Sequence, residues 1–348
     1  MDFKKVLTNW YSVNKRELPW RNTKNPYYIW LSEIIMQQTQ IKQGLPYYEA
    51  FVTNYPTVFE LAKAKEQDVL KLWQGLGYYS RARNLHASAK YIAEDLNGIF
   101  PSTYQDILKL KGVGDYTASA IASICYKEPT AVVDGNVYRV LSRYFGIDTA
   151  INSTKGIKEF KILATSLIDT KNPGDYNQAL MEFGATQCKP KNPNCMVCPL
   201  KNSCVALQKG QIDNLPVKLK KTKITKKHFN FLVLMSSDQR TLFEKRNTKG
   251  IWRNLYQFPL IETEQELSSD HFKAHPKIKS YFKDIKFDYS LYNTNELIHK
   301  LSHQHLHTKF WIIEIDKLPE KGILISELPS YPTPIVIGNF IEEFNFTL

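Results

Sequence analysis

Four of the chain's five cysteines fall within seventeen residues, CKPKNPNCMVCPLKNSC (188–204), and this clustering constrains the fold more than any other feature. The spacing is Cys188-x6-Cys195-x2-Cys198-x5-Cys204. Thiols so close in sequence are paired as disulfides, gathered on a metal, or unligated and crowded by chance. The N-terminus, MDFKKVLTNWYSVNKRELPW, has no apolar signal-peptide core. No run of about 18 apolar residues occurs either, so no membrane span is expected. The chain reads as cytosolic, where structural disulfides are rare and clustered cysteines more often hold a metal. Four converging thiolates can wrap a tetrahedral zinc or a [4Fe–4S] cube. Zinc ribbons usually pair two tight C-x-x-C hairpins and this loop has one. Its wider, unequal spans suit the larger cluster and leave zinc open. Cys125 stands apart in TASAIASICY and reads as a core thiol.

A chain of 348 residues is long enough for two domains with full cores. Residues 1–212 read as helical. LSEIIMQQTQIKQG, VFELAKAKEQDVLKLWQGLG, SRARNLHASAKYIAEDL, YTASAIASICYK and NVYRVLSRYFGI repeat apolar residues at three- and four-residue intervals. Residues 213–228 carry LPVKLKKTKITKKH, whose six lysines read as an exposed, self-repelling linker. Residues 229–348 read as an α+β domain, with strands expected at FNFLVLM, TLFEKR, FDYSLY and KFWIIEI and helices at EQELSSDHF and NFIEEF. The net charge of +12 and pI of about 9.2 suggest a polyanionic partner, although a lysine-rich solvated surface gives the same balance.

LKLKGVGDYTASAIAS (108–123) has the form helix, Gly-Val-Gly, helix. Gly112 and Gly114 permit a tight turn, and the amides opening the second helix can take a phosphate. Further on, Asp134 in AVVDGNVYRV stands where an apolar run meets a new helix, the position of an ordinary N-cap. Glu33 is the only acid in the apolar stretch WLSEIIMQQTQ, where a glutamate is commonly a surface or capping residue.

The cysteine spacing, taken with the Gly-Val-Gly hairpin, resembles the endonuclease III superfamily of DNA glycosylases. That resemblance implies a structural [4Fe–4S] cluster on Cys188, Cys195, Cys198 and Cys204, in a loop whose Lys189 and Lys191 face DNA phosphates. LPWR (18–21), SEIIMQQTQ (32–40) and GLGYYSRARNLH (75–86) further resemble the MutY-type adenine DNA glycosylases. In that family the glutamate matching Glu33 protonates adenine and later helps activate water, and the aspartate matching Asp134 supports the positive charge that builds on the sugar. The first role needs a carboxyl that keeps its proton near neutral pH, which burial provides. Asn136 matches a residue that fixes the aspartate. Bifunctional relatives carry a lysine where this chain has Tyr116, and tyrosine cannot form a Schiff base. A monofunctional enzyme is therefore expected, with Tyr116 hydrogen-bonding near Asp134. Gln38 and Tyr78 match residues that wedge into the duplex, and Arg21 and Trp30 resemble adenine-pocket positions. Bare arginines such as Arg81, Arg83 and Arg139 could meet phosphate or lie on the surface.

The family also implies a C-terminal MutT/Nudix-like domain that recognises 8-oxoguanine. KRNTKGIWRNLYQFPLIE (245–262) resembles its loop and strand, but Tyr256 stands where a hydrolase needs a magnesium-binding glutamate. The domain is expected to bind and not to hydrolyse. The lesion-reading motif, usually Phe-Ser-His or Phe-Thr-His, is here Leu301-Ser302-His303. His303, His305 and His307 alternate and would share one face of a strand, where a metal is conceivable but solvent- or DNA-facing side chains are the simpler reading.

The expectation is thus a multidomain protein, with an all-α helix-hairpin-helix domain carrying a cluster loop and a C-terminal Nudix-like α+β domain. It would be a monomeric, cytoplasmic, nucleoid-associated bacterial enzyme of base excision repair that removes adenine opposite 8-oxoguanine or guanine in double-stranded DNA. A bifunctional glycosylase–lyase and a non-catalytic iron–sulfur DNA-binding protein are the alternatives.

Overall fold

The computed structural model describes residues 2–219, 224–283 and 285–346. Its backbone contacts divide them into two units: residues 2–63 with 83–219, and residues 64–82 with 224–346. The helices of the N-terminal two-thirds are, in order, α1 (Phe3–Asn14), α2 (Pro26–Ile35), α3 (Ile41–Asn54), α4 (Val58–Lys63), α5 (Glu66–Leu72), α6 (Ser80–Glu94), α7 (Tyr104–Ile107), α8 (Asp115–Tyr126), α9 (Gly135–Phe145), α10 (Thr154–Leu167), α11 (Pro173–Thr186) and α12 (Val205–Gln208). Among the described residues no helix is long and apolar enough to cross a membrane.

In the helical unit α11 is the central strut, packing against α1, α8 and α9. Leu7, Val137, Val140, Leu141, Phe160, Leu180 and Phe183 form its core, with Cys188 and Cys198 against the edge. Local chemistry sets the helix starts. Asn25 caps α2 by accepting from the Tyr27 amide at 3.0 Å, and Pro26 fits the first helical position. Gly184 lets α11 approach α9 closely, because a Cβ there would lie 2.7 Å from the Asn136 Cβ and 2.8 Å from its carbonyl oxygen. Buried Asn177 on α11 holds the segment leading to Asp134, accepting from the Val132 amide at 3.2 Å and donating to the Thr130 carbonyl at 2.9 Å.

Two long apolar stretches break where the sequence reads as continuous. LSEIIMQQTQIKQG splits between α2 and α3, with Gln38 at a φ of 54°. VFELAKAKEQDVLKLWQGLG splits between α4 and α5.

The second unit contains β1 (Thr225–Ser236), β2 (Arg240–Thr241), β3 (Glu244–Lys245), β4 (Tyr256–Gln257), β5 (Leu260–Thr263), α13 (Ser269–Phe272), α14 (Pro276–Phe282), β6 (Asp288–Leu291), β7 (Leu297–Lys300), β8 (Gln304–Ile315), β9 (Ile323–Leu324) and α15 (Ile335–Glu343). The main sheet runs β5-β1-β8-β6, with β7 also on β8. Its centre is the parallel pair β1–β8, whose register joins Thr225 to Gln304 and Ser236 to Ile315. Both central strands are buried on two faces, as their unbroken apolar runs require. One face holds Leu232, Leu234, Trp311 and Ile313 beneath Phe272, Ile278 and Phe282. On the other, Phe310 stacks at 4.1 Å on Phe340 of α15.

Two boundaries differ from the sequence reading. Strand β1 begins at Thr225, inside the expected 213–228 linker. Part of that linker is fastened to the helical unit, where the Leu215 carbonyl accepts from Arg143 at 3.0 Å and the Val217 carbonyl from the Ile151 amide at 3.0 Å. Residues 220–223 lie outside the described residues. Residues 64–82, expected within the helical domain, group with the sheet unit. Four bonds explain this: Asn254 to Glu66 at 2.6 Å, Lys71 to the Tyr331 carbonyl at 3.2 Å, the Thr333 amide to Gln74 at 3.1 Å, and Tyr79 to the Thr333 carbonyl at 3.1 Å.

Candidate active site and cysteine pocket

Helix α2 carries Glu33 among residues that are almost all buried. Removal from water pushes its carboxyl up to about 7. A hydrogen bond from Tyr116 opposes this shift and the nearby Asp134 charge adds to it. Tyr116, on the first turn of α8, thus pairs with Glu33 within electrostatic reach of Asp134, and its hydroxyl also lies 3.5 Å from the Met181 sulfur. Burial and the two carboxylates hold its phenol well above the ordinary tyrosine range.

Asp134 is the N-cap of α9. Its carboxylate accepts from the Asn136 amide at 2.9 Å, the Val137 amide at 2.8 Å and the Asn136 side chain at 2.7 Å. Burial raises its pKa, while these donors and Arg139 oppose the rise without cancelling it. The N-cap reading and the functional reading therefore describe one residue: the donors that start the helix also favour the anion. Asn136 passes the contact on, its side-chain oxygen accepting from Arg139 at 2.8 Å. Arg139 in turn donates to the Cys188 carbonyl at 2.7 Å and the Gly184 carbonyl at 2.6 Å. It is buried and wholly engaged, so it is no phosphate contact.

One helical turn on, fully buried Arg143 donates to the carbonyls of Lys189 at 2.8 Å and Pro190 at 3.2 Å and approaches the Cys188 sulfur at 3.5 Å. Cys188, Cys195, Cys198 and Cys204 are free thiols lining a single pocket with Val140, Phe183, Leu200 and Leu207. Burial pushes Cys198 up to about 11 and raises Cys195 and Cys204, and the other thiolates of the set raise each further. Such mutual destabilisation is relieved by a cationic centre shared among the sulfurs. The donor set fits a four-sulfur metal group. Lys189 and Lys191 are exposed between the first two cysteines.

The Gly-Val-Gly turn forms as expected between α7 and α8. Gly112 has a φ of 81°, which favours glycine, and Gly114 caps α8 without any side-chain bond to its amides. Gln38 and Tyr78 are both exposed and both in the left-handed region, at φ values of 54° and 47°. Non-glycine residues in that region are uncommon and concentrate at functional sites. In the sheet unit the Tyr78 hydroxyl meets the Ser302 hydroxyl, and Ser302 and His303 are exposed just before β8. Arg81 supports this loop from beneath, stacking on Trp73 at 5.0 Å and donating to the Gly77 carbonyl at 3.2 Å. A phosphate contact for Arg81 is therefore corrected to an internal strut.

The adenine-pocket expectation needs one correction. Trp30 is fully buried against Phe100 at 5.6 Å, and its indole nitrogen has no partner among the described residues. It belongs to the core because α2 turns that face inward. Trp20, next to Arg21 in LPWR, is the partly exposed tryptophan of this region and packs edge-on to Tyr48 at 5.0 Å. Arg21 reaches Glu182 at 2.6 Å, as does Arg16. Burial alone would raise Glu182, but the two guanidiniums bring it down to about 2. Sequence reasoning missed Glu182, since only the fold brings α11 to the LPWR turn.

The family model for HhH-GPD superfamily base excision DNA repair proteins matches residues 31–164, and a NUDIX domain model matches residues 230–343. The adenine DNA glycosylase of Buchnera aphidicola subsp. Schizaphis graminum is 36% identical over 315 residues, spanning 88% of this chain and 85% of its own. That of Mus musculus is 43% identical over 226 residues, 62% of this chain and 44% of the mouse protein. A solved thermostable thymine-DNA glycosylase is 30% identical with a TM-score of 0.55, covering 60% of this chain and 95% of its own. A non-covalent endonuclease III–DNA complex, at 20% identity and a TM-score of 0.52, shares the fold over 60% of this chain and 99% of its own.

Proposed function

The chain belongs to the adenine DNA glycosylases of the HhH-GPD superfamily, base excision repair enzymes that hydrolyse N-glycosyl bonds, and from that premise we propose that it removes adenine opposite 8-oxoguanine or guanine in double-stranded DNA. The observation that carries the mechanism is Glu33, held by burial at about 7 within electrostatic reach of an aspartate that accepts from three N–H donors.

With adenine extruded from the duplex, the Glu33 carboxyl gives its proton to N7. The C1′–N9 bond breaks and its electron pair leaves with the purine. The sugar becomes oxocarbenium-like, and the Asp134 carboxylate stabilises that charge. Water adds at C1′ and returns its proton to the Glu33 carboxylate. Tyr116 offers a phenol, not an amine, so no covalent Schiff-base step follows and the enzyme is monofunctional. Asn136 keeps Asp134 oriented. Arg21 with Glu182, and Trp20, shape the base pocket.

The DNA-facing set is Gln38, Tyr78, Gly112, Gly114, Lys189, Lys191, Ser302 and His303. The helical unit serves as the glycosylase domain and the sheet unit reads the opposing base through Ser302 and His303, with Leu301 as a weaker apolar wedge than phenylalanine. Cys188, Cys195, Cys198 and Cys204 would hold a [4Fe–4S] cluster, which when bound fixes the loop and supplies no step of hydrolysis. The basic charge supports a polyanionic partner such as DNA, and a monomer acting on cytoplasmic, nucleoid DNA is the setting proposed. Adenine release from an oligonucleotide with one A:8-oxoguanine pair tests the reading. Release by the parent protein and a loss of about 10²–10⁴-fold in Glu33→Gln are expected for removal of a general acid. No release by the parent refutes it.

A further inference from the structure

The sheet unit holds a second donor set unrelated to the cysteines. In the parallel pair β1–β8, His228 lies opposite His307, so both imidazoles emerge side by side on one face, with ring centroids 4.9 Å apart. Glu296, from the loop before β7, closes the group. Its two carboxylate oxygens meet the two Nδ1 atoms, at 2.8 Å for His228 and 2.7 Å for His307. One donor atom from each residue lies within 4.8 Å of the others, and each side chain is only 13–16% exposed.

We propose that His228, Glu296 and His307 form a binding site for a divalent late first-row cation, with zinc as its best representative. Two imidazoles and a carboxylate are the donors such ions prefer. Tetrahedral zinc with bonds of about 2.0–2.1 Å places its ligands ~3.4 Å apart, so the two nitrogen–carboxylate contacts of 2.8 and 2.7 Å must open slightly and the wider separations, all within 4.8 Å, must close. The ion would bind the two ring nitrogens through their lone pairs and offset the negative charge that Glu296 places between the rings. A second carboxylate, Glu266, lies within electrostatic reach of both rings but is engaged by Lys309 at 2.6 Å, so the fourth position is left to water.

The site's location gives it a consequence. It clamps β1, β8 and the loop before β7 four residues beyond His303, whose carbonyl is already bonded to the Thr225 amide at 3.2 Å. A bound ion would stiffen the strand from which Ser302 and His303 project. That consequence rests on their proposed reading of the opposing base; the ion site itself does not.

The test is zinc sulfate added to the full, cluster-bearing chain, followed by gel filtration and elemental analysis of zinc and iron in the same sample. One zinc per chain should be retained with iron unchanged, and Glu296→Gln or His307→Asn should lose the zinc and keep the iron. Zinc-edge X-ray absorption on the unmodified protein gives an answer even if a variant fails to fold. The site predicts only nitrogen and oxygen neighbours at about 2.0–2.1 Å, whereas sulfur at about 2.3 Å would place the ion in the cysteine loop. A sulfur shell, no retained zinc, or equal retention by folded variants would overturn the proposal.

Discussion

The last turn of α2 and the N-cap of α9 carry the two carboxylates, and the protein treats them in opposite ways. At Glu33 burial and a hydrogen bond from Tyr116 pull in opposite directions, burial is the larger effect, and the carboxyl rises to about 7. Asp134 is also partly buried, yet three N–H groups converge on it within 2.9 Å. Desolvation alone makes a carboxyl keep its proton, whereas desolvation with donors leaves the anion accessible. One residue is suited to give a proton and the other to face a cation. The donors at Asp134 cost the fold little, since α9 needs an N-cap in any case.

That comparison breaks most decisively at Asp134. Asparagine caps helices as well as aspartate does, so Asp134→Asn should melt within a few degrees of the parent protein. Its adenine release should nonetheless fall by about 10²–10³-fold, the scale of losing one fixed electrostatic stabiliser. Unchanged release would reduce Asp134 to a cap. Asn136→Ala removes one donor to the carboxylate and the link to Arg139, and a loss of about tenfold in single-turnover rate is expected for a buried hydrogen bond worth roughly 1–1.5 kcal/mol. A loss equal to that of Asp134→Asn would mean that Asn136 contacts the reacting atoms itself. The smallest change is expected from Tyr116→Phe. The lost hydrogen bond held Glu33 down, so the alkaline limb of the pH–rate profile should move upward. The variant should also give no DNA adduct with borohydride, as should the parent protein.

Local chemistry was legible in the sequence and long-range assembly was not. The cysteine pocket could be read because four thiols at short spacing have few physical uses, and the Gly-Val-Gly turn because a positive φ at Gly112 requires glycine. Trp20 and Trp30 lie ten residues apart, and only the packing of α2 shows that Trp30 faces Phe100. Glu182 carries no local signal, and its importance depends on two arginines more than 160 residues away. The grouping of residues 64–82 with the sheet unit rests on side-chain bonds such as Asn254 to Glu66, across 188 residues. His307 was visible as one of three alternating histidines, but its partner was unreadable without the β1–β8 register.

The central claim is that burial lets Glu33 keep its proton near neutral pH. Single-turnover adenine release measured across pH tests it most directly. A carboxyl raised to about 7 is protonated below that pH and ionised above it. The account therefore predicts a rate that is sustained on the acidic side, halves near pH 7, and falls about tenfold for each further pH unit. A limb centred near the ordinary carboxylate range, or a rate unchanged into alkaline solution, would contradict it.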